Sequence, residues 1–312
     1  MIYDLIIIGG GPAGVAAGVY AARKQLKTML ITPEFGGQSV VSEGIQNWIG
    51  TVEIKGADLA TNLKKHLLAY AGEFVTVKEG EGAQNIKYLE AGLPSNDFLV
   101  ITDKGEYQSK TVLVTTGSTR RKLEVPGAKG FDNKGLTYCA SCDGPLFAGQ
   151  DVVVVGGGNA AFETAAQLLA YCKSVTLLNR SESFKADEIT INKLKQNPNF
   201  KIITNAVPKE IKGNGFVSSI VYENISANTT HEIQTPGIFV EIGLIPTTYF
   251  VKDLVELNQI GQIPVDPRTQ QTKIPGLWAA GDCADTLYHQ NNIAAGDAVR
   301  ALEDIYMYLH AR

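Results

Sequence analysis

The chain has 312 residues, 44% hydrophobic and 19% charged, which is enough apolar material for about two packed domains. A formal net charge of -4 offers no basic field for nucleic acid or an anionic membrane surface, and no run approaches the ~20 apolar residues of a membrane span. The 32 glycines concentrate in strand-to-helix turns, the distribution expected of a nucleotide-binding α/β protein.

Met1-Ile2-Tyr3-Asp4 lacks the cationic segment and small-residue cleavage site of a signal peptide. A cytoplasmic protein is therefore expected, with the sequons at Asn224 and Asn228 serving as plain loop residues. Asp4 to Ile8 is a continuous apolar run of strand length, which predicts a parallel strand buried on both faces. Gly9, Gly11 and Gly14 follow in the spacing G-x-G-x-x-G, with Pro12 and Ala13 between them, and Ala13 to Lys24 contains good helix formers. Strand, glycine turn and helix in that order bring a backbone and a helix N-terminus up to a pyrophosphate. The next strand, Thr28 to Ile31, runs towards Glu34, roughly 20 residues after Gly14, where an acid holds a ribose hydroxyl or merely ends a turn.

Phe35-Gly36-Gly37-Gln38 and Gln46-Asn47-Trp48 read as loops whose amides suit the edge of an isoalloxazine or an adenine. Leu59 to Tyr70 predicts an amphipathic helix with Leu59, Leu63 and Leu67 inward and His66 in solvent. Phe74–Val77, Phe98–Thr102 and Val112–Thr115, with a turn at Asp103-Lys104-Gly105, predict a small antiparallel meander whose exposed edge carries Glu79 and Glu81. Thr115-Thr116-Gly117-Ser118 leads into Arg120, Arg121 and Lys122, read as a solvated linker rather than a binding site.

Cys139 and Cys142, separated by two residues and followed by Asp143, have the spacing of a redox disulfide or of half a zinc site. The remaining Cys172 and Cys283 and the four histidines are scattered singly, so the redox reading is preferred and no metal is expected. The first pattern then repeats. Asp151 to Val155 is a strand, Gly156-Gly157-Gly158-Asn159-Ala160-Ala161 a second glycine turn with Ala161 in the third small position, and Ala161 to Tyr171 a helix. A repeated strand-turn-helix is far more specific than one copy and implies two dinucleotide sites. Beyond the strand Val175–Leu178, Asn179 supplies no carboxylate, while Arg180 and Lys185 are placed to clamp a 2′-phosphate or to sit in an exposed charged turn.

Lys201–Thr204, Lys209–Lys212 and Phe216–Glu223 are further strands, with a hairpin at Gly213-Asn214-Gly215, and Gly237 to Pro246 reads as a closing strand. Gly276 to Asp282 is a strand and a turn whose acid suits a ribitol hydroxyl or simply ends the strand. Tyr288-His289-Gln290-Asn291-Asn292 precedes a last helix, Ile293 to Leu309, whose N-terminus offers positive dipole to an electron-rich ring. Cys172 and Cys283 read as core residues.

In this order the two glycine fingerprints, Phe35 to Gln38, the Cys139/Cys142 pair with Asp143, and Ala280-Gly281-Asp282 resemble low-molecular-weight thioredoxin reductase, a class II FAD-dependent pyridine nucleotide-disulfide oxidoreductase, over essentially the whole chain. Cys142 to Phe147 is also similar to the reductase part of the alkyl hydroperoxide reductase flavoprotein. That relative carries an extra N-terminal thiol domain, in whose place a separate acceptor is expected here.

The resemblance implies an α/β homodimer built from two Rossmann-like, three-layer ββα domains, the second inserted into the first. Residues 1–116 and 247–312 would bind FAD, and residues 117–246 would bind NAD(P)H and carry the redox disulfide. It implies FAD contacts from Gly9, Gly11, Pro12, Ala13, Gly14, Thr32, Glu34, Gly36, Gly37, Gln38, Asn47, Gly281, Asp282, His289, Gln290 and Asn291, and a cofactor contact from Gly117. It implies NADPH contacts from Gly156, Gly158, Asn159, Ala160, Ala161, Glu163, Arg180 and Lys185. Cys142 would face the flavin, Cys139 would exchange with thioredoxin or a thioredoxin-like protein, and Asp143 would move protons.

The family commonly has His-Arg-Arg and a later Arg where this chain has Asn179-Arg180-Ser181 and Lys185, which leaves NADH or a donor such as ferredoxin as alternatives to NADPH. A flavin reductase that needs no thiol pair and a flavin-bound redox sensor are the rival activities. A disulfide cannot occupy a nicotinamide's face of the flavin and also reach a bulky protein, so the inserted domain is expected to rotate near Gly117 to Lys122 and Ile245 to Thr248.

Overall fold

The computed structural model describes residues 1–41, 45–89 and 97–311 and divides into two compact units, Met1–Thr119 with Ile245–Arg312, and Arg120–Leu244. The first unit opens with β1 (Ile2–Gly10), α1 (Pro12–Arg23), β2 (Thr28–Phe35), α2 (Gly56–Ala71), β3 (Val75–Glu79), β4 (Ala83–Leu89), β5 (Asp97–Thr102), β6 (Glu106–Val114) and β7 (Ser118–Arg120), which runs across the boundary. The second contains β8 (Leu136–Thr137), α3 (Ala140–Asp143), β9 (Asp151–Val155), α4 (Asn159–Leu168), β10 (Ser174–Leu178), α5 (Glu188–Lys195), β11 (Phe200–Ile203), β12 (Ala206–Asn214), β13 (Phe216–Asn224), β14 (Thr229–Gln234) and β15 (Gly237–Val240). The chain returns through β16 (Leu244–Pro246) to β17 (Leu277–Ala279) and α6 (Asn291–Ala311).

In the first unit the sheet order is β3-β2-β1-β6-β5-β4, with β17 alongside the carboxyl half of β6. The pairs from β3 to β6 are parallel, and β4, β5 and β6 form the antiparallel part. From Leu5 to Ile8 β1 is wholly apolar because both its faces are covered there. Leu5 and Ile7 enter a core with α1, α2 and α6, while Ile6 and Ile8 enter another with Phe98, Val100, Phe250 and Val251. In the second unit the order is β11-β10-β9-β15-β8, all parallel, with β12-β13-β14 as a separate antiparallel sheet. Val152 and Val154 face the side of α4 and α5, and Val153 and Val155 face β12 and β13. Each unit is thus a Rossmann-like three-layer arrangement.

Several local expectations change. Of Phe74–Val77, residues 75–77 belong to β3, which extends the parallel sheet instead of joining the meander, and the meander's outer strand is the unforeseen β4. Glu81 is buried, and its carboxylate accepts from the Thr102 hydroxyl, so it is not an exposed edge acid. Gly237 to Pro246 divides into β15 and β16 because Gly243, at φ +111°, interrupts the strand. Asn224 lies on β13, not in a loop, and its side chain accepts from the backbone of Ser226 and Ala227. Arg120 is half-buried and paired with Glu241, while Arg121 and Lys122 are exposed. Among the described residues no helix is long and apolar enough to cross a membrane.

Candidate active site

In the first unit the turn after β1 is held from below. Gly9 has φ +120°, and a Cβ on it would lie 2.4 Å from the Thr115 carbonyl oxygen. A Cβ on Gly14 would lie 1.8 Å from the Gly9 carbonyl oxygen, so the absence of a side chain lets α1 sit directly against β1. Gly11 differs from both. It is the N-cap of α1, no side chain caps it, and a Cβ there would meet nothing within 4 Å. Open space over an uncapped helix N-terminus is the cradle that a dinucleotide pyrophosphate fits.

Other loops converge on this turn. The Gly36 N–H donates to the Gly10 carbonyl at 2.9 Å, which brings Phe35 to Gln38 back over the glycines. The Thr32 hydroxyl is buried beneath Gly10 and donates to the Glu34 carbonyl, leaving the Glu34 side chain exposed. A Cβ on Gly281 would be 3.1 Å from the Ala294 Cβ and 3.5 Å from that of Ala13, so Asp282 stands where α1 and α6 begin. Ser118 Oγ donates to Asp282 Oδ2 at 3.4 Å, and Gln38 Nε2 donates to the carbonyl and hydroxyl of Ser118. Asn47 Nδ2 donates to Gln290 Oε1 at 3.0 Å, and Ser39 Oγ to Asn291 Oδ1 at 3.0 Å. His289 Nδ1 is 3.4 Å from Asp282 Oδ1, and this carboxylate raises the imidazole pKa above its ordinary value against the opposing effect of burial. Gly117, at φ +64°, has open space where a side chain would project.

These contacts bring Gln38, Asn47, Asp282, His289, Gln290 and Asn291 together. Ser118 and Ser39 join them, and Thr115 lies against Gly9, without having been singled out. The only signal for Ser118 was its place beside Gly117.

In the second unit Gly156 has φ +152°, and a Cβ on it would be 2.3 Å from the Glu241 carbonyl oxygen. Gly158 is the N-cap of α4, also without a capping side chain, and Ala161 packs under Gly156. The side chain of Asn179 is committed to its own loop. Nδ2 donates to the carbonyls of Ser181 and Ser183 at 2.8 and 2.9 Å, and Oδ1 occupies the space a Cβ on Gly157 would need. The Lys185 N–H donates to the Gly157 carbonyl at 2.8 Å, so that loop is stitched to the glycine turn while the side chains of Arg180 and Lys185 stay exposed. Asn159, Ala160 and Glu163 present themselves at the exposed start of α4, where Asn159 Oδ1 accepts from the Asp187 N–H at 2.8 Å.

Cys139 is disulfide-bonded and half-buried at the N-cap of α3. The side chain of Cys142 lies outside the described residues, so the expected pairing is not read from the structure. The Thr137 hydroxyl donates to Asp143 Oδ2 and accepts from the Cys139 N–H at 3.4 Å, which ties the carboxylate to the backbone of the sulfur-bearing residue. Burial and then Asp132 push the neighbouring Tyr138 phenol up to about 12, so it stays protonated and is no base at neutral pH. Cys172 and Cys283 are free, buried thiols pushed up to about 11 by burial, as suits packing rather than exchange.

A sequence model of the family described as pyridine nucleotide-disulphide oxidoreductase matches residues 3–298. The chain belongs to the pyridine nucleotide-disulphide oxidoreductase family. As a member it is a flavoprotein oxidoreductase that uses FAD and a nicotinamide nucleotide, and its two uncapped glycine turns suit two such groups. Its structure is similar to thioredoxin reductase from Streptococcus pyogenes MGAS5005, at 34% identity and TM-score 0.83 over 100% of this chain and 99% of that one. The thioredoxin reductase from Giardia duodenalis is similar at 30% identity and TM-score 0.83, covering 98% of each chain. By sequence the chain is 39% identical to a subunit of the alkyl hydroperoxide reductase of Pseudomonas putida over 96% of its length, and 37% identical to a Bacillus subtilis NADH dehydrogenase over 98%. It spans 56% and 58% of the lengths of those two relatives.

Proposed function

We propose that this chain is a thioredoxin reductase, passing electrons from NADPH through FAD to a Cys139/Cys142 disulfide and on to the disulfide of thioredoxin or a thioredoxin-like protein. The observation that carries the reading is Cys139 in disulfide form at the head of α3, beside a carboxylate oriented by Thr137. FAD, when bound, supplies the two-electron exchange between a nicotinamide hydride and a disulfide.

In this reading the first unit is the FAD domain. Gly9 and Gly11 to Gly14 hold the pyrophosphate, Thr32, Glu34 and the Gly36-Gly37 loop hold the adenosine side, and Gln38, Asn47, Gly117, Gly281, Asp282 and His289 to Asn291 hold the rest. The second unit is the nicotinamide domain, with Gly156 to Ala161 and Glu163 at the phosphates and Arg180 and Lys185 at a 2′-phosphate. Opening the Cys139–Cys142 bond consumes two electrons and two protons and gives two thiols. Asp143, steadied by Thr137, takes and returns those protons. The Cys139 thiolate then attacks the partner's disulfide, one partner sulfur leaves and is protonated, and Cys142 closes on Cys139 to release the partner as a dithiol. Thioredoxin, at roughly -270 mV, lies below the extraction-based glutathione poise of about -220 to -260 mV, which makes a nicotinamide a better source of electrons than glutathione. The working assembly is a cytoplasmic homodimer.

Stopped-flow reduction of the FAD-loaded protein by NADPH and by NADH, followed by steady-state assay with thioredoxin, tests this directly. Faster bleaching by NADPH and turnover with thioredoxin are expected, and bleaching without any thioredoxin turnover would overturn the acceptor assignment. A second reading has its own support: the curated relatives bear the names of an NADH dehydrogenase and of an alkyl hydroperoxide reductase component. On that reading NADH bleaches the flavin faster and the acceptor is another thiol protein.

A further inference from the structure

The two glycine turns are closed in the same way but with different chemistry. In each unit the sheet order reverses between two adjacent parallel strands, β1 and β6 in one and β9 and β15 in the other. Ligands of such sheets lie in the crevice beyond the carboxyl ends of those strands. The first residue past the second strand is Thr115 in one unit and Glu241 in the other. Their N–H groups donate to Ile8 and Val155, each at 2.8 Å, and their carbonyls close against Gly9 and Gly156. Thr115 is buried and turns its hydroxyl back onto the Ile8 carbonyl at 2.9 Å. Glu241 sets a carboxylate at the corresponding position.

That carboxylate is incompletely satisfied. Oε1 accepts from Thr164 Oγ1 on α4 at 2.9 Å and from Arg120 Nη1 at 3.3 Å, whereas Oε2 has the same Nη1 at 3.4 Å as its partner among the described residues. An ionised carboxylate offers about four acceptor sites. Burial pushes the Glu241 carboxyl above its ordinary range even with Arg120 acting against the rise, so the guanidinium does not fully replace the lost water. The Glu241 side chain keeps 13% exposure, so it is not sealed inside the unit.

Resting on the reading that the second unit holds the nicotinamide nucleotide, we propose that Glu241 binds its nicotinamide end, accepting from the carboxamide N–H and favouring the cationic oxidised ring over the neutral reduced one. The adenosine and phosphate groups are the same in both forms, so any bias between them arises at the ring. A unit charge a few ångströms from a half-shielded carboxylate is worth about tenfold in affinity or more. The consequence is regulatory: the oxidised product is held more tightly than the donor that replaces it, so it inhibits turnover as it accumulates.

The test uses the FAD-loaded full chain and three probes in equilibrium titrations. They are the oxidised nucleotide, its tetrahydro form, which is neutral and gives no hydride, and ADP-ribose, which lacks the nicotinamide. Each probe carries the 2′-phosphate if NADPH proves the better donor. E241Q is expected to weaken the oxidised nucleotide about tenfold, to change the tetrahydro form about twofold or less, and to leave ADP-ribose unchanged. T164V, which removes a bond from the cluster but keeps the charge, should retain the preference for the oxidised form. Equal weakening of all three probes by E241Q, or loss of its FAD, would assign Glu241 to the scaffold alone and overturn the proposal, as would an unchanged oxidised-to-tetrahydro ratio. If the unaltered protein fails to bind ADP-ribose, the nucleotide assignment itself is wrong and the proposal falls with it.

Discussion

Two glycines three positions apart in the first turn should fail in different ways. In G11A the new methyl group meets nothing within 4 Å, and φ -75° with ψ -174° is extended backbone that alanine adopts. The expected penalty is the small difference between glycine and alanine at an N-cap, about 1 kcal/mol at most, or roughly 2–4 °C in Tm. The same methyl fills the cradle, so FAD should bind at least about tenfold more weakly, which is about 1.4 kcal/mol. In G14A the methyl would stand 1.8 Å from the Gly9 carbonyl oxygen, and α1 must lift from β1 to admit it. Overpacking of this kind costs about 1–3 kcal/mol when the surroundings yield, and two regular elements locked by backbone bonds yield little. Thermal denaturation of the FAD-stripped variants, followed by fluorescence titration with FAD, separates the cases. G11A should melt close to the parent yet bind FAD poorly, and G14A should fail in both assays. A G11A protein that binds FAD within twofold of the parent refutes the placement of the pyrophosphate at this turn; one that does not fold refutes the reading of the space around it.

Three further outcomes follow from the sulfur site and its surroundings. D143N should slow dithiol exchange with the acceptor by about 10²–10⁴-fold without slowing flavin reduction, and T137V should slow it about tenfold with recovery in T137S. Parent-like exchange rates in both D143N and T137V would remove Asp143 from proton handling. Alkylation of the oxidised native protein at pH 8 should modify neither Cys172 nor Cys283, and denaturation should expose those two thiols, with two more only after reduction; a different count after reduction rules out the Cys139–Cys142 pairing. Because Asp282 raises the His289 pKa, the stability from that pair is fully present below about pH 6.5 and is lost as pH rises through the higher folded value. The Tm of the FAD-stripped protein should therefore fall more between pH 6 and 8 than that of H289Q, and parallel profiles would show that the pair contributes nothing.

The parts of the fold visible in the sequence are those with a local cause. β1 and β9 could be placed because a strand covered on both faces has no room for polar residues, and Leu5, Ile6, Ile7 and Ile8 divide alternately between two cores. The turns could be placed because only glycine tolerates the backbone at Gly9 and the approach at Gly14. Leu59, Leu63 and Leu67 announced their helix by spacing alone, and all three are buried.

What remained hidden depends on partners far along the chain. Glu81 looks like an edge acid until Thr102 is beside it, and Arg120 like a solvated linker cation until Glu241 is. Ser118 is ordinary until Gln38 and Asp282 converge on it from opposite ends of the sequence. Asn179 shows the reverse case. The lack of a carboxylate could be read directly, but not that the carboxamide binds the carbonyls of Ser181 and Ser183 and braces the loop.

By itself the amino-acid order determined that two strand-turn-helix units recur in one chain and that a pair of cysteines separated by two residues stands between them. Those features rest on steric limits and periodicities that act within about a dozen residues. Only the tertiary structure decided which polar groups are buried, which are paired, and that the residue closing the second glycine turn is a partly satisfied carboxylate. The physical reason is that the cost of burying a charge and the partner that offsets it are set by residues that meet only once the sheets have formed.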